Sequence, residues 1–302
     1  MKRIPLVSAL VTVAALTLAA CGGNSDPLKD DGGGDSGTVV VGSANFPEAV
    51  LLMEIYAGAL EAKGVDVSTK PNIGAREAYI KGIEDGSIDL IPEYTGNLRL
   101  YFDPKAKATD AAGVYKELQA SLPDGLSVLD YAQAEDKDAV VVTQDTANKY
   151  SLKSIADLAP VASKLKLGGP PEWKTRSTGV PGLKKVYGVT FGDFVELDAG
   201  GPLTLNALLD GRVDAGNLFT TDPNISAKNL VPLEDPKFLF AAQNVVPLIR
   251  TDALTDTIKT TLNAVSAKLD TETLGDLVTQ VVSDKEDPAD VADKFLTDQG
   301  LK

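Results

Sequence analysis

The stretch Glu77–Asn97, EAYIKGIEDGSIDLIPEYTGN, has a degenerate copy at Pro202–Asp222, PLTLNALLDGRVDAGNLFTTD. At a constant offset of 125, Asp85 falls on Asp210, Gly86 on Gly211, Ile88 on Val213 and Asp89 on Asp214. Tyr94 then falls on Phe219 and Thr95 on Thr220. Each copy reads as a helix ending at Gly, a short buried strand, and an aromatic–Thr pair just past the strand. Two copies imply two similar α/β lobes, each offering an aromatic ring at the carboxyl end of a strand. Ligands of open α/β sheets bind at that end, so two such lobes face to face make a cleft.

Around this repeat, 302 residues leave room for two domains of ordinary size. A hydrophobic fraction of 43% and a charged fraction of 24% suit a soluble globular body. The formal net charge is -14 and becomes more negative once Lys2 and Arg3 leave with a leader. That excess of acid argues against nucleic acid and against a polybasic membrane-surface patch. The leader itself is read in residues 1–20. Lys2 and Arg3 form a charged head, and Ile4 to Leu18 an apolar run shorter than the roughly 20 residues of a membrane span. Leu18-Ala19-Ala20-Cys21 resembles a bacterial lipobox, in which Cys21 becomes the lipidated N-terminus. An ordinary signal peptide with a leftover thiol is the alternative. Cys21 is the only cysteine, so there is no disulfide framework and no cysteine metal site. Residues 21–37 are then the lipidated Cys and a flexible Gly/Asp/Ser tether, which places the body on the outer face of a membrane.

The body opens with the apolar run Thr38–Gly42, suited to a buried strand. Phe46-Pro47-Glu48 predicts a helix start, with Pro in the first turn and an acid beside it, and Gly64 its end. Val65–Ser68 alternates as a strand, which completes a βα unit of a largely parallel sheet. After the first repeat comes a helix around Ala111–Leu122, and Ala139–Thr143 opens the second lobe as a strand. Ser154 with Asp157 predicts a capped helix start over Ile155–Leu158. Lys166–Gly168 resembles a short strand, and Gly168–Gly182 is a Gly/Pro-rich loop carrying Glu172, Trp173 and Arg176. Asp256–Leu296 is helical by period, its last helix following Asp287-Pro288.

Catalytic chemistry finds little support. There is no histidine, the commonest general base and metal ligand. No G-x-S-x-G, P-loop or G-x-G-x-x-G motif is present. The 43 acids guarantee chance carboxylate pairs, and no spacing singles one out. Neither an enzyme, nor a metal, nor a cofactor is expected.

Six motifs, in order along the chain, carry a resemblance. They are Val41-Gly42-Ser43-x-x-Phe46; Glu93-Tyr94-Thr95-Gly96; Gly168-x-x-Pro171-Glu172-Trp173-x-x-Arg176; Gly179-x-Pro181-Gly182-Leu183 with Tyr187-Gly188; Phe219-Thr220-Thr221-Asp222; and Leu233-Glu234-Asp235-x-Lys237. From Thr38 to the C-terminus the chain resembles the substrate-binding proteins of ABC importers in the glycine betaine/choline/osmoprotectant (ProX-like, OpuAC) family. The resemblance implies a two-lobed type II periplasmic-binding-protein fold with two hinge crossings, near Ala134–Asp138 and Phe238–Asn244. Residues 38–136 plus 243–302 would form lobe 1 and residues 137–242 lobe 2. It implies an ABC permease, and through it an ATPase, as partners, a small solute as cargo, and a monomer.

In family members that bind betaines, four tyrosines surround the quaternary ammonium and an arginine takes the carboxylate. Aromatic faces attract a cation that has no hydrogen-bond donors, and a planar guanidinium matches a carboxylate. Carried over, Tyr94 is the first box position, Arg176 the carboxylate ligand, and Asp136 an acid at the hinge. The other box positions fall on Asp138, Phe219 and Gln243. One tyrosine of four remains, so the expected ligand is more polar or larger than glycine betaine. Asn45 and Phe46, before a helix that opens on the same mouth, are further contact candidates. Arg176 has Glu172 as a nearby counter-charge, and Trp173 is read as packing. An envelope lipoprotein of the same fold, sensing or adhering without transport, is the alternative function.

Overall fold

The computed structural model describes residues 37–302. The expected leader, the Cys21 lipid site and the tether as far as residue 36 lie outside the described residues. The first stretch runs β1 (Val39–Ala44), α1 (Pro47–Glu61), β2 (Val67–Gly74), α2 (Arg76–Asp85), β3 (Leu90–Tyr94), α3 (Thr95–Phe102), α4 (Ala111–Ser121) and β4 (Leu126–Val128). The middle holds β5 (Asp138–Thr143), α5 (Gln144–Tyr150), β6 (Lys166–Gly169), α6 (Val180–Gly182), β7 (Asp193–Glu196), α7 (Pro202–Leu209), β8 (Ala215–Phe219), α8 (Asn224–Ala227) and β9 (Leu230–Pro232). The chain closes with β10 (Val245–Arg250), α9 (Asp256–Ser266), α10 (Thr271–Val282) and α11 (Pro288–Asp298). Among the described residues no helix is long and apolar enough to cross a membrane.

These strands form two five-stranded sheets, in the orders β2-β1-β3-β10-β4 and β7-β6-β8-β5-β9. In both sheets the repeat strand takes the centre, parallel to one neighbour and antiparallel to the other: β3 lies between β1 and β10, and β8 between β6 and β5. The antiparallel partner of each repeat strand is also the strand that enters or leaves a crossing. Val245 therefore stands opposite Tyr94, and Asp138 opposite Phe219. Each sheet is covered on both faces, as the apolar runs demand. Val245 and Ile249 face α1 and the C-terminal helices, while Val246 and Leu248 face the α2 side. Val140 and Val142 likewise face one core of the second lobe, and Ala139 and Val141 the other.

The two copies are physically equivalent. Gly86 and Gly211 both adopt left-handed backbone, with φ of 81° and 68°, so the helix before each can stop and the strand begin. Asp89 accepts the Val40 N–H at 2.9 Å, and Asp214 accepts the Lys166 N–H at 2.8 Å. The matched acids thus tie each repeat strand to its parallel neighbour. Tyr94 and Phe219 are the last residues of their strands rather than just past them. Elsewhere the expected Val65–Ser68 strand begins two residues later and runs on to Gly74. Ser154 and Asp157 form the expected capping box, but on a single 3-10 turn. Strands β4 and β7 are too short to show a period.

Between the sheets the chain crosses twice, side by side. Glu135 bridges Asn244 antiparallel, and the Asp136 N–H donates to the Gln243 carbonyl at 3.1 Å. The Val245 N–H donates to the Ala134 carbonyl at 3.0 Å. A Cβ at Gly96 would lie 2.5 Å from the Ala242 carbonyl oxygen, so only glycine lets the start of α3 press against this pair of crossings.

Candidate functional site

A cavity of about 270 Å³ lies between the sheets. The first lobe lines it with Ala44, Asn45, Phe46, Ala75, Arg76, Tyr79, Tyr94 and Asn97. The second lobe and its crossing contribute Asp136, Asp138, Pro170, Pro171, Glu172, Trp173, Arg176, Leu197, Asp198, Ala199, Asn217 and Phe219. Seven of the eight ligand residues expected from sequence therefore meet in one place. Gln243 does not. It is buried behind the cavity, where its Oε1 accepts the Asn97 N–H at 2.9 Å, so it fixes the start of α3 instead of facing a ligand.

Three rings from three elements make one corner. Phe46 precedes α1, while Tyr94 and Phe219 end β3 and β8. The Phe46 centroid lies 6.1 Å from that of Tyr94 and 5.0 Å from that of Phe219, with tilts of 34° and 40°. Such faces attract a cation stripped of water. Gly200, at φ +63°, brings bare backbone against the Phe219 ring, where a Cβ would come within 2.5 Å of Cδ2. Trp173 lines the cavity from a buried position and stacks on Phe240 at 6.1 Å. It both packs and presents an edge.

The charged lining groups are mostly held by neutral donors. Asp138 accepts from the amides of Asn217 and Asn97, at 2.9 and 3.0 Å. Asp198 accepts the Leu203 and Thr204 N–H groups and the Thr204 hydroxyl, at 2.8–2.9 Å. Asp136 accepts the Thr220 hydroxyl and the Thr221 N–H, both at 3.1 Å. Beside Asp136, Glu48 accepts the Tyr94 hydroxyl at 2.5 Å and the Thr221 hydroxyl at 2.7 Å. Burial raises both the Glu48 and Asp136 carboxyls above the ordinary range, most strongly Asp136, which also feels the Glu48 charge. The pair keeps a proton where isolated carboxyls have lost theirs. Burial, with these two acids beside it, also holds the Tyr94 hydroxyl well above its usual range, so it stays a donor.

The two arginines are different. Arg76 is buried and paired through Nε and Nη2 with Glu93, at 2.7 and 2.8 Å, and the Tyr79 hydroxyl donates to the same carboxylate at 2.7 Å. Burial, the largest single effect, would lower the Arg76 pKa; the charge and hydrogen bonds of Glu93, with Tyr79 and Glu77 beside them, together more than offset it. Arg176 pairs not with Glu172 but across the cleft with Glu77 on α2, at 3.0 and 2.8 Å. Burial would raise the Glu77 carboxyl, yet its hydrogen bonds to Arg176 and the guanidinium charge hold it below the ordinary range.

Sequence reasoning did not single out Arg76, Tyr79, Asp198 or Asn217, and gave Asn97 no role. Only Asn217 carried a usable signal. It stands two residues before Phe219 on the same strand, hence on the same face.

A family model for the substrate-binding domain of ABC-type glycine betaine transport systems matches residues 37–298. The chain is 30% identical over 276 residues to the glycine betaine-binding protein YehZ of Escherichia coli, covering 87% of this chain and 90% of that one. It is 27% identical over 278 residues to a glycine-betaine-binding protein of Pseudomonas aeruginosa, covering 87% and 88%. The crystal structure of a glycine betaine/carnitine/choline ABC transporter superimposes with a TM-score of 0.66 at 23% identity, over 87% of this chain and 99% of that one. That likeness carries the two-lobed α/β fold. The family is one of transport binding proteins rather than of enzymes. With the model spanning nearly the whole described body, this chain belongs to the OpuAC family, the substrate-binding domains of ABC-type glycine betaine transport systems.

Proposed function

We propose that the chain captures a small compatible solute outside the membrane and hands it to an ABC permease driven by its ATPase. The solute is glycine betaine-, choline- or carnitine-like, or a more polar analogue. Residues 38–136 with 243–302 act as one lobe and 137–242 as the other, closing by hinge motion about the paired crossings. The body works as a monomer held to the membrane by lipid on Cys21. The family match gives a non-transporting envelope role no support.

One observation carries this reading: the Phe46–Tyr94–Phe219 corner lies in the same cavity as Asp136 and Asp138. Rings and carboxylates together stabilise a cationic head. A cavity of about 270 Å³ falls just below the range usual for ligand pockets, about 300–1,000 Å³, which suits a small solute. A thermal-shift panel of betaines, choline, carnitine, amino acids and polyols tests it. A solute at 100-fold over its Kd adds about 2.7 kcal/mol of stability. Phe219→Ala should weaken the best cation by about 0.5–2 kcal/mol, the worth of one aromatic face, read by calorimetric titration. A panel in which no quaternary ammonium compound shifts the melting temperature would refute the reading.

A further inference from the structure

The cavity shows two arginines, and each already holds a carboxylate. Arg76 is taken by Glu93 inside the first lobe. Arg176 presents its Nε–Nη2 edge, the fork that receives a carboxylate in two parallel bonds, to Glu77. The remaining charged lining groups, Asp136, Asp138, Glu172 and Asp198, are all acids. Asp136 shares a retained proton with Glu48, but the hydrogen bonds to Asp138 and Asp198 described above come from hydroxyls, amides and backbone N–H groups, none of which cancels charge. The lining therefore favours positive charge and has no uncommitted guanidinium for negative charge.

We propose that Glu77 is a built-in competitor for Arg176, biasing the cleft against solutes that carry a carboxylate and toward cations whose other end is neutral, such as an alcohol. This rests on the reading that the cleft takes a compatible solute. A zwitterion has two routes to Arg176. It displaces Glu77, and then the fork that ties α2 to the opposite lobe is lost. Otherwise it shares the guanidinium with Glu77, and then two like charges sit on one cation. A cation with a neutral end leaves the ion pair standing and lets the lobes stay tied over it. Glu77 is thus a residue that selects by charge without touching the favoured ligand.

Choline and glycine betaine share a trimethylammonium and differ at the other end, alcohol against carboxylate. Calorimetric titration of both into the wild type, Glu77→Gln, and the double variant Glu77→Gln with Arg176→Gln decides the matter. Glu77 is solvent-exposed on a helix, so the single variant should fold, which its melting curve checks. The wild type is expected to prefer choline. Glu77→Gln should move the affinity ratio toward glycine betaine by about tenfold, as removal of one like charge from a shared site allows. The double variant should lose that gain, because the guanidinium that made it is gone. A wild type that prefers glycine betaine overturns the inference and leaves the proposed function standing. A ratio unchanged by Glu77→Gln also overturns it and reduces the ion pair to a tie between lobes. Binding of neither compound to any variant overturns the inference, and the thermal-shift panel then decides the proposed function separately.

Discussion

Glu48 is the residue whose chemistry the rest of the site leans on. It receives the Tyr94 hydroxyl from its own lobe and the Thr221 hydroxyl from the other, and it sits beside Asp136 in a buried setting. Both carboxyls are raised above their ordinary values of 4.5 and 3.8, so the native state binds more protons than the unfolded chain from those values up to the raised ones. Unfolding free energy falls with rising pH wherever the native state holds the extra protons. This contribution is therefore present at acid pH and is lost as pH climbs through the native pKa values. Glu48→Gln keeps an acceptor for Tyr94 and an amide for Thr221 but removes one titrating group. Its melting temperature should exceed the wild-type value at pH 7–8, the two should converge near pH 4, and its pH slope should be flatter. Parallel slopes for both proteins would place the proton elsewhere. Little of this was legible beforehand, for Glu48 read only as an acid in a helix's first turn. Tyr94 and Phe219 were legible because a repeat marks equivalent positions whatever surrounds them. Gln243 was misleading because it stands in the crossing beside the cavity while its side chain turns to the start of α3.

Among the elements, α2 and β3 show how one stretch can specify both lobe and site. Gly86 ends the helix, Asp89 ties the strand to its neighbour, and Tyr94 delivers a ring at the strand's end. All three could be read from residue type and spacing. The link between helix and strand could not, because Arg76 and Glu93 meet only once α2 folds back over the sheet. Their side chains are 8% and 0% exposed, and Tyr79 adds a third bond. Removing one partner leaves the other charge buried alone, at a cost of about 3–5 kcal/mol. Glu93→Ala should lower the urea midpoint accordingly, with Arg76 driven outward and the Tyr79 side of the cavity collapsing. Replacing both residues by apolar ones of similar volume should restore much of that stability. A Glu93→Ala variant within about 1 kcal/mol of wild type, the range of an exposed pair, would contradict the buried geometry.

For the whole molecule, the relevant balance is between lobes. Side-chain hydrogen bonds across the cleft include those of Glu77 with Arg176, Asn97 with Asp138, and Glu48 with Thr221. Each such bond contributes only about 0.5–3 kcal/mol net, so their sum is small enough for a single charge to shift the hinge equilibrium. The Glu77–Arg176 pair is the most exposed of the three at the charged end, with side chains 46% and 25% accessible, and salt screens it. Glu77→Lys sets two cations face to face where a bidentate pair stood. The closed arrangement then loses its tie and gains a repulsion, while each lobe keeps its own sheet and core. In solution scattering without ligand, the variant should show a larger radius of gyration than wild type at low salt. Raising ionic strength should bring the two together from both sides, because screening weakens the attraction in one and the repulsion in the other. A saturating cation should compact the wild type further than the variant. Identical scattering at every ionic strength would mean that the crossings, not the rim, hold the lobes together.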